Sequence, residues 1–105
     1  MKVIVSPAAR DYIKSEIAYL KLRSPRAALQ LSEDLKRLKR DLGQFSQMGH
    51  FTEELPIPGI RRFVMGAYLI DYEIHADTIL IFAIRHGRER PPTIALDDDF
   101  DFEQS

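Results

Sequence analysis

The chain has 105 residues, of which 45% are hydrophobic and 30% charged, and its formal net charge at pH 7 is −1. This length holds one domain, and this composition is that of a globular protein rather than a disordered one. The absence of cysteine excludes disulfides, thiolate chemistry and cysteine-based metal sites. No apolar run approaches the ~20 residues of a membrane-spanning helix, and residues 3–5 are too few for the apolar core of a signal peptide. We therefore expect a cytoplasmic protein.

Negative charge is concentrated in residues 97–105, which contain five of the 16 acidic residues. Residues 1–96 consequently carry 15 basic and 11 acidic side chains, a net charge of +4. We predict a folded domain over residues 1–96, followed by an acidic C-terminal tail over 97–105. A disordered, solubilising terminus is the default interpretation of such a tail; mimicry of nucleic acid and shielding of a basic cluster in cis are the alternatives.

The first predicted element is a short strand at residues 2–5. Ser6-Pro7 and Ser24-Pro25 each place a capping hydroxyl before a proline, which is a strong signal for the start of a helix. The first helix is therefore predicted to run to about Arg23, and the second to end near Gly43, a natural C-cap. Apolar side chains recur every three or four residues along both, which predicts an antiparallel helical hairpin with its apolar stripes facing inward.

Residues 44–58 have no sustained period and are predicted to be mostly loop. We expect the larger apolar side chains of this loop to anchor it to the core: Phe45, Met48, Phe51 and Leu55. Three strands rich in aromatic and β-branched residues follow. They are predicted at residues 60–65, 68–74 and 79–85, with turns at residues 66–67 and 75–78.

The third of these strands reads ILIFAI and is apolar on both faces, which predicts a central position covered on both sides. Pairing of the N-terminal strand beside it completes a four-stranded sheet, with the helical hairpin packed on one face. The predicted fold is therefore α+β: an N-terminal strand, a helical hairpin and a three-stranded antiparallel meander.

A basic cluster ends the third strand: Arg85, His86, Arg88 and Arg90. Arg61 and Arg62 lie on a nearby strand of the same predicted sheet. Guanidinium groups bind phosphate and carboxylate bidentately, so the cluster suits a nucleic-acid backbone or an acidic protein surface. A histidine beside them can act as a general acid or base, because its pKa lies near neutrality. The alternative is a solvated strand end, paired with Glu53, Glu54 or the tail.

Two other sets of residues are candidates for chemistry. Tyr68 and Tyr72 share one face of the second meander strand; they can stack on bases, although aromatics in strands more often belong to the core. His50, His75 and His86 fall in separate elements without the i, i+4 spacing of metal ligands. We therefore predict no metal site and no cofactor.

Three stretches carry a resemblance to a known superfamily: IVSPAARDYIKSEIAYL, IRRFVMGAYLIDYEI and ILIFAIRHGRERPP. In order and spacing they resemble the toxins of the ParE/RelE superfamily over residues 2–92. The resemblance implies the ParE/RelE-like fold and a role as the toxin of a type II toxin–antitoxin system.

Two activities are known in this superfamily. RelE-like members cut mRNA on the ribosome, using basic residues and usually a tyrosine after the final basic cluster. ParE-like members poison DNA gyrase and are not nucleases. Here Pro91-Pro92 stands where that tyrosine is expected, and Leu69 stands where RelE-like sequences commonly place arginine. Both departures favour the ParE-like branch.

The two branches imply different roles for the basic residues. The RelE-like alternative, an endoribonuclease, implies catalysis by Arg61, Arg62, Arg85, His86 and Arg88. The ParE-like reading implies no catalytic residue and a target-binding surface formed by Arg85, His86, Arg88 and Arg90. A third alternative is a non-toxic binding module on the same scaffold.

The resemblance also implies partners. A cognate antitoxin, ParD-like or other, is expected to wrap the helical hairpin and the sheet, and DNA gyrase is the expected target. No membrane is implied, and direct contact with nucleic acid is left open.

Overall fold

The computed structural model describes residues 1–55 and 57–87. In chain order the elements are β1 (Lys2–Val5), α1 (Pro7–Arg23), α2 (Pro25–Gln44), β2 (His50–Phe51), β3 (Arg61–Met65), β4 (Tyr68–His75) and β5 (Thr78–His86). The α+β class, the N-terminal strand, the two helices and the meander are thus confirmed. The acidic tail, its boundary at residue 96, and Arg88, Arg90 and Pro91-Pro92 lie outside the described residues.

Both helices begin where the capping signals predict. The Ser6 hydroxyl accepts a hydrogen bond from the Ala9 N–H at 3.1 Å, and the Ser24 hydroxyl accepts one from the Ala27 N–H at 3.2 Å. The Ser6 hydroxyl also donates to the Phe82 carbonyl at 2.9 Å. One serine therefore caps α1 and fixes the start of that helix against β5.

The second helix ends close to Gly43 as predicted, but Gly43 is not its C-cap. α2 continues to Gln44, and the N–H of the capping residue Phe45 donates to the Asp41 carbonyl at 2.7 Å. Gly43 does not take the positive φ of a glycine cap. Its carbonyl instead accepts a hydrogen bond from the Met1 ammonium group at 2.8 Å, which joins the N-terminus to α2.

The sheet has five strands, in the order β1-β5-β4-β3-β2, and the prediction of four is wrong. The additional strand, β2, is two residues long and pairs antiparallel with β3, with His50 opposite Arg62 and Phe51 opposite Arg61. So short a strand has no sequence period, and only its pairing with β3 defines it. The N-terminal strand lies beside β5 as predicted, in parallel, so β5 is interior.

The two meander turns are both tight. Met65 pairs with Tyr68 across residues 66–67, as predicted. The second turn is shorter than the predicted four residues, because His75 already pairs with Thr78. Ala76 closes this turn with a φ of 51°, a left-handed conformation that alanine rarely adopts.

β5 places apolar residues on the core face despite an irregular spacing. It carries one extra residue, Phe82, between the pairs Asp71–Ala83 and Tyr72–Ile81. This bulge restores the alternation, so that Ile81 and Ile84 both reach the core although three positions separate them.

The core lies between the helical hairpin and one face of the sheet, here called the core face. Its buried members are Ala9, Leu31, Leu38, Leu42, Met65, Ile70, Tyr72, Ile79, Ile81 and Ile84. Tyr72 is 0% exposed, which places it in the core and not on a base-stacking surface. Its hydroxyl donates to the Ser46 carbonyl at 2.7 Å and accepts from the Gly49 N–H at 2.9 Å. A Cβ at Gly49 would lie 2.8 Å from the Tyr72 ring, so this approach requires glycine.

The loop before β3 is anchored by two of its four predicted residues. Leu55 is buried and Met48 packs against the core. Phe45 and Phe51 are 63% and 66% exposed, so their predicted anchoring role is wrong. Among the helices of the described residues, none combines the length and apolarity needed to cross a membrane.

Candidate functional site

Arg85 and His86 are the last two residues of β5, and successive side chains of a strand point to opposite faces. His86 stands opposite Tyr68 on the core face. Arg85 stands opposite Leu69 on the face away from the helices, here called the open face. The sheet therefore separates Arg85 from His86, the two members of the basic cluster that the structure describes.

Arg85 is buried and paired with an acidic residue. It is 7% exposed, and its Nη2 lies 3.2 Å from Glu54 Oε2. Arg62 also reaches Glu54, through the other carboxylate oxygen. One carboxylate from the loop before β3 therefore bridges two guanidinium groups on the open face.

Arg62 is held more tightly still by Asp71, its direct neighbour across β3 and β4. Its Nε lies 2.7 Å from Asp71 Oδ1 and its Nη2 lies 2.9 Å from Asp71 Oδ2, a bidentate pairing. Asp71 is 1% exposed. We call Glu54, Arg62, Asp71 and Arg85 the ion-pair network; its two guanidinium groups and two carboxylates cancel in charge.

The ion-pair network shifts the pKa values of Glu54 and Arg62. The hydrogen bond from Arg62 holds the pKa of Glu54 below its ordinary value, against the smaller opposing effect of burial, and the charges of Arg62 and Arg85 add to the lowering. The hydrogen bond to Asp71 raises the pKa of Arg62. Glu54 is therefore ionised at neutral pH, and Arg62 remains a cation.

His86 lies among aromatic side chains on the core face. Its backbone N–H donates to the Tyr12 hydroxyl at 3.0 Å, and its ring meets that of Tyr68 edge-on, with centroids 5.5 Å apart and an angle of 80°. The Tyr68 hydroxyl donates to Glu16 Oε2 at 2.5 Å. Helix α1 thus fixes the end of β5 through Tyr12 and the start of β4 through Glu16.

Arg61 is separate from the other basic residues. Alternation along β3 places it on the core face, where its Nη1 donates to the Gly49 carbonyl at 2.9 Å. Its guanidinium carbon lies 4.1 Å from the centroid of the Phe51 ring, a cation–π contact. Arg61 therefore fixes β2 and the loop before it.

The RelE-like alternative names five catalytic residues. The four of them that the structure describes do not converge on one point. Arg62 and Arg85 lie on the open face, each paired with a carboxylate. Arg61 and His86 lie on the core face, and Arg88 is outside the described residues. Within residues 1–55 and 57–87, no three His, Asp or Glu side chains are grouped as metal ligands would be.

Sequence reasoning named Glu54 only as one possible partner and missed Asp71, Tyr12 and Glu16. For Asp71 a signal was present: a two-residue turn at residues 66–67 sets the register that puts Arg62 directly opposite it. The partners of Tyr68 and His86 on α1 depend on how the helix packs, and no local pattern encodes that.

Comparison with known proteins adds two findings. A family model described as "ParE toxin of type II toxin-antitoxin system, parDE" matches residues 3–91. A solved structure described as "Chromosomal ParDE TA system from P. aeruginosa" superposes with a TM-score of 0.67 at 17% sequence identity, covering 82% of this chain and 95% of that one. At that identity the likeness shows the fold alone. No curated protein matches the chain at a significant level.

Proposed function

The chain belongs to the ParE toxin family of type II toxin–antitoxin systems, and from that premise we propose that it inhibits DNA gyrase through protein–protein contact until a cognate antitoxin binds it. The match over residues 3–91 is the single observation that carries this proposal, since it spans the helices, the three meander strands and the whole basic cluster. The proposed target-binding residues are Arg85, His86, Arg88 and Arg90.

The geometry of the basic residues supports binding over RNA cleavage. General acid–base catalysis needs side chains that converge within hydrogen-bond reach of one reacting group. Arg62 and Arg85 are instead engaged by Asp71 and Glu54 on the open face, whereas His86 faces α1. The sequence adds Pro91-Pro92 at the position where RelE-like members usually have tyrosine.

Arg85 is proposed to act chiefly as a support for the residues that follow it. Its ion pair with Glu54 and the hydrogen bond from the Gly87 N–H to the Ala67 carbonyl, 2.7 Å long, hold the end of β5 in place. A rigid strand end presents the next arginines with little loss of conformational entropy on binding. Arg88 and Arg90 are therefore the residues to test.

A supercoiling assay with purified gyrase tests this proposal. The wild-type chain should inhibit supercoiling, and Arg88→Ala together with Arg90→Ala should weaken that inhibition at least tenfold, about 1.4 kcal/mol or more. Arg26→Ala is the matched control, because Arg26 is exposed at the start of α2 and is not a member of the basic cluster. It should inhibit like the wild type.

Three outcomes would overturn the assignment to gyrase. Unchanged supercoiling in the presence of folded protein removes gyrase as the target. Cleavage of transcripts in a translation extract, lost in Arg85→Lys or His86→Gln, would establish the RelE-like activity instead. Harmless overexpression with a retained antitoxin complex would indicate the non-toxic binding module.

The antitoxin is proposed to cover the helical hairpin and the sheet. Tyr19, Leu22 and Leu29, near the junction of α1 and α2, are 51%, 90% and 61% exposed, and such apolar exposure is typical of a protein that binds a partner. Co-expression with the adjacent small open reading frame should restore growth and yield a stable complex. Failure of Leu22→Asp to weaken that complex would remove this end of the hairpin from the interface.

A further inference from the structure

A groove of about 410 Å³ runs between α1 and α2 and reaches the core face of the sheet. Its apolar lining consists of Val5, Ile13, Ile17, Leu35, Leu38, Ile70, Ile81 and Ile84. The volume is within the range of sites that hold a ligand, ~300–1,000 Å³. Ile13, Ile17 and Leu35 remain half-exposed beside it, so their burial is incomplete.

The rim of this groove is strongly basic. Two cations come from each helix, Arg10 and Lys14 from α1 and Lys36 and Lys39 from α2, and all four are exposed. Among the described residues that line the groove there is no carboxylate. An apolar floor between two rows of cations fits an occupant with apolar and acidic side chains in close alternation.

The chain itself contains a segment of that chemistry. Residues 97–105 read DDDFDFEQS, so Phe100 and Phe102 alternate with carboxylates. In an extended segment, residues two apart lie on the same side, which puts both phenyl groups on one side. The five carboxylates complement the four cations of the rim.

The segment is long enough to reach the groove. The chain leaves β5 beside α1, where the His86 N–H donates to the Tyr12 hydroxyl at 3.0 Å, and Ile13 lines the groove on the same helix. Passing around half the circumference of a helix that is about 10–12 Å across requires roughly 16–19 Å. The ten residues from Gly87 to Leu96 span up to about 33–36 Å when extended.

We propose that the acidic tail, residues 97–105, binds in cis to the groove between α1 and α2, with Phe100 and Phe102 on the apolar floor and the carboxylates against the basic rim. A short tether gives such a segment an effective concentration in the millimolar range, so modest affinity suffices. The bound tail completes the burial of the half-exposed apolar residues. It also competes with any acidic segment of another protein for the same groove.

Zero-length carbodiimide cross-linking of the full chain, followed by peptide mapping, tests this inference. Residues 97–105 should join Lys14, Lys36 and Lys39 several-fold more often than Lys2 and Lys21, which are exposed but do not line the groove. Raising the salt concentration to about 1 M shortens the Debye length to ~3 Å and should reduce the groove cross-links. Equal yields at all five lysines would overturn the proposal.

A second variant tests the apolar part of the interaction without disturbing the folded domain. Phe100→Ala with Phe102→Ala keeps every charge, and its groove cross-links should fall to the level of Lys21. Unchanged yields would show that the tail interacts by charge alone, contrary to the proposal. Cross-links found only in a dimer band would assign the groove to the tail of a second copy. None of these readouts depends on toxicity, so failure of the gyrase proposal would leave them unaffected.

Discussion

Strand β4 has fully buried residues on both faces of the sheet, but different interactions stabilise them. On the core face, Ile70 and Tyr72 are 0% exposed among apolar neighbours. On the open face, Asp71, between them in β4, is 1% exposed and paired with Arg62. Burial of apolar area tolerates small changes of shape, whereas a buried charge requires its partner. The ion-pair network on the open face should therefore be more sensitive to single substitutions than the apolar residues of the core face.

Asp71→Ala should have the largest effect. It removes the bidentate partner of Arg62 and leaves that largely buried cation to share Glu54 with Arg85, so the free energy of unfolding should fall by about 3–5 kcal/mol. Urea denaturation at neutral pH measures the change. A loss below that of a conservative substitution in the core would refute the contrast between the faces.

Replacing both partners distinguishes loss of pairing from loss of volume. Arg62→Met with Asp71→Leu fills the same space with apolar groups and should be more stable than Asp71→Ala alone, since no unpaired charge remains at this pair. If the double variant loses as much free energy of unfolding as Arg62→Met and Asp71→Leu lose together, the pairing interpretation is wrong.

Tyr72→Phe tests the polar contact within the core face. The change removes a hydroxyl that bonds Ser46 and Gly49 and leaves the Gly49 N–H without that acceptor. We expect a loss of about 1–3 kcal/mol. Thermal unfolding followed by circular dichroism measures it, with Tyr19→Phe as the control, because Tyr19 is 51% exposed and should cost little.

Glu54→Gln should lower the free energy of unfolding by an amount that depends on pH. We expect a loss of about 1–2 kcal/mol at neutral pH, less than for a fully buried pair, because the Glu54 side chain is 36% exposed. The folded pKa of Glu54 is lowered, so its contribution is complete above its unfolded pKa of about 4.3 and is lost as the pH falls through the folded pKa. The gap between wild type and variant should narrow below about pH 4. A gap that widens on acidification would contradict the ion-pair network.

The smallest expected effects concern apolar residues on the two faces. Ile70→Val removes one buried carbon from the core face and should lower the free energy of unfolding by about 0.5–1.5 kcal/mol. Val64→Ala removes two carbons from the open face, where Val64 is 60% exposed, and should change it by no more than about 0.5 kcal/mol. The reverse order in denaturant melts would mean that Val64 is covered in solution.

Much of the core face could be predicted from sequence because it depends on local rules. Ser6 and Ser24 cap their helices through bonds that span three residues, and alternation along β4 places Tyr68 and Tyr72 on one side. β1 begins and ends where predicted. The family resemblance is confirmed by the match over residues 3–91.

The open face could be predicted only in part, because alternation gives a residue its side but not its partner. Arg85 was assigned to a basic cluster, yet it is buried against Glu54, which is 31 positions earlier in the chain. β2 was not predicted because its two residues form a strand only by pairing with β3, and that partner is not encoded locally. The roles proposed for the basic residues in binding a target remain predictions.

The parallel pairing of β1 with β5 has a consequence for the order in which the protein folds. The bond from Ser6 to Phe82 spans 76 positions, so the first strand has no sheet neighbour until the last strand has been synthesised. The helical hairpin needs only local contacts and can form early, whereas closing so long a loop is slow. A nascent chain would thus hold a formed hairpin while its sheet, and the basic strand end that the sheet supports, is still incomplete.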